Sequence, residues 1–255
     1  MKVVAHLREH QLLTHGMPDP SAVAYAPSGA VYVTDESQGL LQKWENGALS
    51  TVATGLDHPV GVAAGPSGKV WVDSASGSLS LVSSDGTSKV VVAGLRDPRQ
   101  LYTVPGSGGD VLVAEAHHGV ILEVTPSGKT YVRLKGSHRN VAPVAVAEDQ
   151  YGTLVVGFKN GNVVEYSPNG KPKQLFNVGG IAAVAMDGAG NSFTGSWKYR
   201  TVIEHVAATG RDVVVNRDFR SLTGLSASPG GTLWVSDKVS IGLYMVVPTP
   251  FYTQL

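Results

Sequence analysis

The sequence contains no cysteine, which removes thiol nucleophiles, cysteine-zinc sites and disulfide frameworks from consideration. It lacks an excess of either charge. Its 20 lysines and arginines balance 20 aspartates and glutamates, so no global field draws it to nucleic acid or to an anionic membrane. Long hydrophobic runs are missing too: stretches such as Val90-Val91-Val92-Ala93 are strand-sized and too short to cross a bilayer as a helix. The first ten residues place Lys2, His6, Arg8 and Glu9 where a secretory signal needs an apolar core, so a cytoplasmic chain without a leader is expected. What is abundant is glycine (31) and proline (14), the composition of a turn-dense β protein.

A phrase repeats six times along the chain. Its first copy reads Pro20-Ser21-Ala22-Val23-Ala24 … Pro27-Ser28-Gly29-Ala30-Val31-Tyr32-Val33, and its second Pro59-Val60-Gly61-Val62-Ala63 … Pro66-Ser67-Gly68-Lys69-Val70-Trp71-Val72. Further copies start at Pro98, Pro143, Ile181 and Leu222, so successive spacings are 39, 39, 45, 38 and 41 residues. Each copy is an alternating strand, a glycine turn and a second apolar strand, with room for two more strands before the next. In the first copy the strands fall at 22–25, 30–34, 40–44 and 49–53, with Asn46-Gly47 supplying the positive φ values of a primed hairpin turn. A unit of this length cannot bury both faces of its own sheet, so the copies must stack.

The ends of the chain predict how the stack closes. Gly16-Met17-Pro18-Asp19-Pro20 matches Gly55-Leu56-Asp57-His58-Pro59 and Gly94-Leu95-Arg96-Asp97-Pro98 in strict register. Residues 9–14 therefore hold a fourth-strand position with no first three strands ahead of them, while the last copy, 223–247, has three strands and no clear fourth. The N-terminal segment is expected to complete the last blade and so remove an exposed edge, with the tail 248–255 beside that seam. The prediction is an all-β protein: one six-bladed β-propeller over residues 1–255, each blade four antiparallel strands.

The wording Pro-x-x-Val-Ala-x-x-Pro-Ser-Gly-x-Val-Tyr-Val-x-Asp at residues 20–35 resembles an NHL repeat, and Gly65-Pro66-Ser67-Gly68-Lys69-Val70-Trp71-Val72 resembles the streptogramin-lyase branch of the same superfamily. Its gluconolactonase-like and strictosidine-synthase-like members share the six-bladed plan. The resemblance implies a fold, since the shared residues are structural, and leaves the chemistry open. In the gluconolactonase-like proteins, positions near the mouth of the central channel supply carboxylate and amide ligands to a divalent metal. The ring expected there in this chain is Ser21, Val60, Arg99, Val144, Ala182 and Thr223. None is Asp, Glu, Asn or His, and a hard cation needs several oxygen ligands. No metal and no cofactor are therefore expected, and calcium-dependent lactonase chemistry is disfavoured.

A propeller sorts its loops between two faces. The Pro-Ser-Gly turns and the Asn-Gly or Asp-Gly hairpins fall on one, short and chemically plain. The other receives the loops between second and third strands: Asp35-Glu36-Ser37-Gln38, Glu115-Ala116-His117-His118, Phe158-Lys159-Asn160, Trp197-Lys198-Tyr199-Arg200 and Asp237-Lys238. It also receives the blade links with His15, His58, Arg96-Asp97, His138-Arg139-Asn140 and Phe219-Arg220. Five of the eight histidines fall there, so ligand is expected on that face.

Arg99, the single cation of the ring, suits a carboxylate, a phosphate or a polarised carbonyl. It equally suits a structural pairing with Asp97 or Glu115. His117 beside Glu115 is a candidate general base, and with Arg99 holding a developing enolate it fits an elimination or isomerisation. Glu115 aligns with Asp35 and Asp237, at a position that in NHL-type repeats normally caps the loop by accepting backbone N–H bonds. Ser21, His58, His118, Phe158, Trp197, Tyr199, Arg220 and Thr223 are the candidate substrate contacts, the aromatics either walling a pocket or anchoring a protein partner. Lys198, Arg200 and Arg220 raise RNA contact, which the balanced charge disfavours. Two readings stand. One is a monomeric, metal-independent lyase, cyclase or isomerase acting on a small organic molecule with an anionic or carbonyl group. The other is a non-catalytic NHL-type module that docks a protein or peptide.

Overall fold

The small and apolar residues of each repeat make an inner strand that neighbours can approach closely. In the computed structural model, which describes residues 4–5, 10–136 and 141–247, the inner strands are Pro20–Tyr25, Pro59–Ala64, Pro98–Thr103, Pro143–Glu148, Ile181–Met186 and Leu222–Ala227. They lie side by side around a central channel, and the last of them meets the first. Each pairs with a second strand buried along its whole length: Val31–Asp35, Val70–Ser74, Val111–Glu115, Leu154–Phe158, Ser192–Ser196 and Leu233–Asp237. Third and outer strands follow in order, as with Leu40–Glu45 and Ala48–Ala53 in blade one.

Closure follows the repeat register. His10–His15 runs antiparallel to Gly242–Val246, with Leu12 opposite Tyr244, and supplies the outer strand of blade six. One addition was not foreseen: Val4–Ala5 pairs in parallel with Arg211–Asn216 and adds a fifth strand to blade five. The tail 248–255 lies outside the described residues. At the closure, Gly224 is required for space, because a Cβ there would stand 2.8 Å from the Val23 nitrogen and 2.9 Å from the Ala22 Cα.

The apolar core is divided into six clusters, one at each blade interface. Adjacent residues of one strand serve opposite interfaces, as strand periodicity demands. Val31 and Val33 pack toward blade six, whereas Tyr32 packs toward blade two. The fully buried Trp71 joins blades two and three, its indole N–H donating to the Gly109 carbonyl at 2.8 Å. Met17 fills the closing seam against Val23, Val31, Trp234 and Leu243. Met17→Ala leaves a cavity between the first and last blades and should lower the unfolding free energy by about 2–5 kcal/mol in urea titration. A loss under about 1 kcal/mol would show that the seam collapses around the smaller side chain.

Candidate functional site

Six β-bulges build the mouth of the channel. In every blade the register between inner and second strands slips after the opening residue. Pro20 faces Asp35 but Ala22 faces Thr34, and matching slips follow Pro59, Pro98, Pro143, Ile181 and Leu222. A bulge bends the strand and re-aims the extra side chain. The residues after the slip positions are Ser21, Val60, Arg99, Val144, Ala182 and Thr223, and all six line one cavity of about 760 Å³ on the loop-rich face.

Polar groups complete its wall. Arg99 Nε meets Asp97 Oδ1 at 2.8 Å, and Lys238 Nζ meets Asp19 Oδ1 at 2.6 Å, a hydrogen bond that holds Lys238 above its ordinary pKa. Glu36, Lys159 and the half-exposed Trp197 stand beside them. The Arg99 side chain is also half exposed, and among the described residues only its Nε has an ionic partner. Ser21 and Thr223 use their hydroxyls to stitch blades together, donating to the carbonyls of Pro59 and Pro20, each at 2.7 Å. This donor set does not fit the divalent metal of the gluconolactonase-like pattern. The ring offers an arginine, three aliphatic side chains and two hydroxyls already committed as donors, and of the wall's carboxylates Asp97 and Asp19 are held by Arg99 and Lys238.

The acidic residues at the ends of the second strands cap the loops. Asp35 accepts the N–H groups of Asp19 and Gln38, and Asp237 accepts those of Arg220, Ser221, Val239 and Ser240. Glu115 does the same for Arg96 at 2.6 Å, and its Oε1 also meets His118 Nδ1 at 2.8 Å. The carboxylate thus orients His118, while His117 stands edge-on against that ring at 5.3 Å. Both imidazoles are exposed and outside the cavity wall, although Ala116, immediately before them, is part of it. His58, Tyr199 and Arg220 are exposed and also stand outside the wall. Phe158 requires a correction. It was expected in an open-face loop, but it ends the strand Leu154–Phe158 and is 3% exposed, packed with Leu112, Ile121 and Val156 between blades three and four. His138, Arg139 and Asn140 lie outside the described residues.

No protein-family model and no curated protein matches the sequence. Solved structures do match the fold. A streptogramin B lyase superposes with a TM-score of 0.67 at 12% identity, over 94% of this chain and 97% of the lyase. A gluconolactonase of Xanthomonas campestris gives 0.79 at 12% identity, over 94% and 90% of the two chains. Nidogen, solved in complex with laminin, gives 0.71 at 19% identity, over 81% and 84%. This chain is a six-bladed β-propeller of the streptogramin-lyase and gluconolactonase fold. At such identities the likeness concerns the fold alone, and the same propeller serves enzymes and a laminin-binding protein.

One unusual residue of the propeller escaped sequence reasoning. Asp73 is 0% exposed, and burial pushes its pKa from 3.8 up to about 8 against the opposing pull of the backbone N–H groups of Gly61 and of Asp73 itself. It holds the register position of Thr34 and Ser236, whose hydroxyls bond Ser21 and Thr223. As a neutral acid it presents a hydroxyl at the same place. Gly61, directly after the wall residue Val60, leaves the room: a Cβ there would stand 2.5 Å from Asp73 Oδ1. Between about pH 4 and 8 the folded state therefore holds a proton that the unfolded state has released, so stability falls as pH rises through that window. Asp73→Asn removes the titration. Urea melts should show the variant gaining on the wild type by roughly 1.4 kcal/mol per unit between about pH 5 and 7, whereas a flat difference would mean that Asp73 is ionised in the fold.

Proposed function

We propose that the loop-rich cavity binds a small organic molecule bearing an anionic or carbonyl group and converts it by metal-independent lyase, cyclase or isomerase chemistry. The observation that carries this reading is the position of Arg99: a half-exposed guanidinium on the wall of a cavity whose ring is otherwise aliphatic or hydroxylic. Such a group stabilises charge that develops on an oxygen during enolate formation. Trp197 offers a flat apolar surface on the same wall. Proton acceptance falls to the His117–His118 pair on the adjoining loop, where Glu115 fixes the tautomer and orientation of His118. The pair acts from the rim, so the substrate must extend from Arg99 toward Ala116.

Calorimetry with a panel of small carboxylates and lactones tests the binding step. The wild type should bind members of the panel, Arg99→Ala should weaken them about tenfold or more, and Arg99→Lys should restore part of the loss. Equal affinities in the wild type and Arg99→Ala would remove the clamp. Where turnover is found, His118→Ala should lower kcat by about 10²–10⁴-fold, the range expected of a general base.

A second reading rests on Trp197 and Tyr199, which are both more than half exposed on this face, with Lys198 Nζ 5.4 Å from the Tyr199 ring centroid. Exposed aromatics with a basic neighbour suit a protein or peptide partner. Under that reading Trp197→Ala abolishes partner binding and Arg99→Ala leaves it intact.

A further inference from the structure

We propose that the opposite end of the channel is a second binding site, one that takes an organic ammonium ion with an apolar body. A cavity of about 850 Å³ opens where the inter-strand turns of the six blades converge. Its wall includes a ring as regular as the first: Tyr25, Ala64, Thr103, Glu148, Met186 and Ala227, each the last residue of an inner strand. Five members are uncharged and Glu148 is the exception. Among the described residues no lysine, arginine or histidine contributes to the wall, whereas Asp149, Glu165 and Asp187 join Glu148 on it.

Glu148 is built in a way that leaves it one task unfilled. Its side chain is 3% exposed, its Oε1 is held by Arg133, and its Oε2 has no hydrogen-bond partner among the described residues. Arg133 is shared, because its other terminal nitrogen holds Glu123 at 2.5 Å. One guanidinium therefore serves two carboxylates. Burial raises the pKa of Glu148 against the pull of Arg133. Asp149 and Asp187 spend their Oδ1 atoms on turn amides, those of Tyr151 and Thr153 and those of Ala189 and Asn191. They add negative charge, and Glu148 offers the acceptor.

These features select the ligand. An anion entering the cavity would meet four carboxylates and, among the described residues, no cation on the wall. A molecule without a donor would leave Oε2 buried and unpaired, and a neutral donor such as an alcohol would pair it without answering the surrounding negative charge. An ammonium group answers both demands through a charge-assisted hydrogen bond. The apolar body of such a ligand has Leu101, Val104 and Leu225 to cover it, and the faces of Tyr102 and the exposed Tyr151 favour a cation nearby.

The two mouths are tested separately. Calorimetry on the whole chain would use 2-phenylethylammonium, cyclohexylmethylammonium, the neutral isostere 2-phenylethanol and 3-phenylpropionate. The ammonium ions should bind about tenfold or more tightly than the alcohol, and the carboxylate should not bind at this site. Glu148→Gln should bring the ammonium affinity down to that of the alcohol. Tyr151→Ala, at a position 76% exposed and outside the core, should weaken the ammonium ions by about 2–5-fold without loss of fold. Arg99→Ala should leave them unchanged, so this proposal stands or falls independently of the loop-face reading. Four results would overturn it: no ammonium ion binding in the millimolar range, equal affinity for amine and alcohol, indifference to Tyr151→Ala, or loss of binding in Arg99→Ala. Should Glu148→Gln fail to fold, the amine-to-alcohol ratio and Tyr151→Ala decide the matter.

Discussion

A four-stranded blade of this chain is apolar on both faces, and water can cover neither. The second strands show the constraint most plainly. Every residue of Val31–Asp35 and of its five counterparts is buried, with neighbours along the strand pointing into different interfaces. A blade with a neighbour on one side only would leave half of each second strand exposed. The solution that satisfies all six blades is a closed ring, and the ring requires a fourth strand for blade six. The chain takes that strand from His10–His15, so sequence ends that are far apart become partners in one sheet.

Closing the ring crowds its axis. Inner strands must approach each other, which explains the small side chains at Ala22, Gly61, Ala145, Ala183 and Gly224. Each inner strand is also the edge of its sheet, with backbone groups turned to the channel. Gln100, the long residue at this level, uses that feature. Its Oε1 accepts the N–H groups of Val146 and Val184, and its Nε2 donates to the Val184 carbonyl, so one side chain from blade three braces blades four and five. Strand ends beyond this level escape the crowding. At one end the bulges carry the mouth residues into a cavity, and at the other the final residues of the inner strands line a second.

What sequence reading recovered follows from this division. Periodicity, turn residues and the 39-residue register report on packing, and packing dictated the blades, the closing strand and the ring at Ser21, Val60, Arg99, Val144, Ala182 and Thr223. Strand boundaries in blade one came within two residues, because turn glycines mark them. Phe158 went astray because its alignment with loop residues overrode its own apolar character, which continues the strand into the core. Glu148 was passed over because its turn was treated as plain scaffolding, although Glu148-Asp149-Gln150-Tyr151 departs from the Pro-Ser-Gly wording of blades one and two. The partnership of Glu115 with His118 was not legible at all. It depends on which ring of two adjacent histidines turns back toward the strand end, and spacing does not encode that.

The departures from the repeat differ in what they cost the fold. Arg99 interrupts an inner strand at the channel mouth, and Glu148 ends one, where its charge is met by Arg133 of the neighbouring blade three. Asp73 occupies an interior position of a second strand, at a level where blades one and six carry hydroxyls. A carboxyl in that place remains compatible with burial by keeping its proton, and the penalty appears as lost stability at higher pH. Arg99 and Glu148 therefore read as positions the ring leaves open to a ligand, one of each charge at opposite ends of a channel braced by Gln100. Asp73 is different in kind: a polar group retained inside the packing against its own energetic interest, one residue from strand's end and two from Ala75 on the cavity wall.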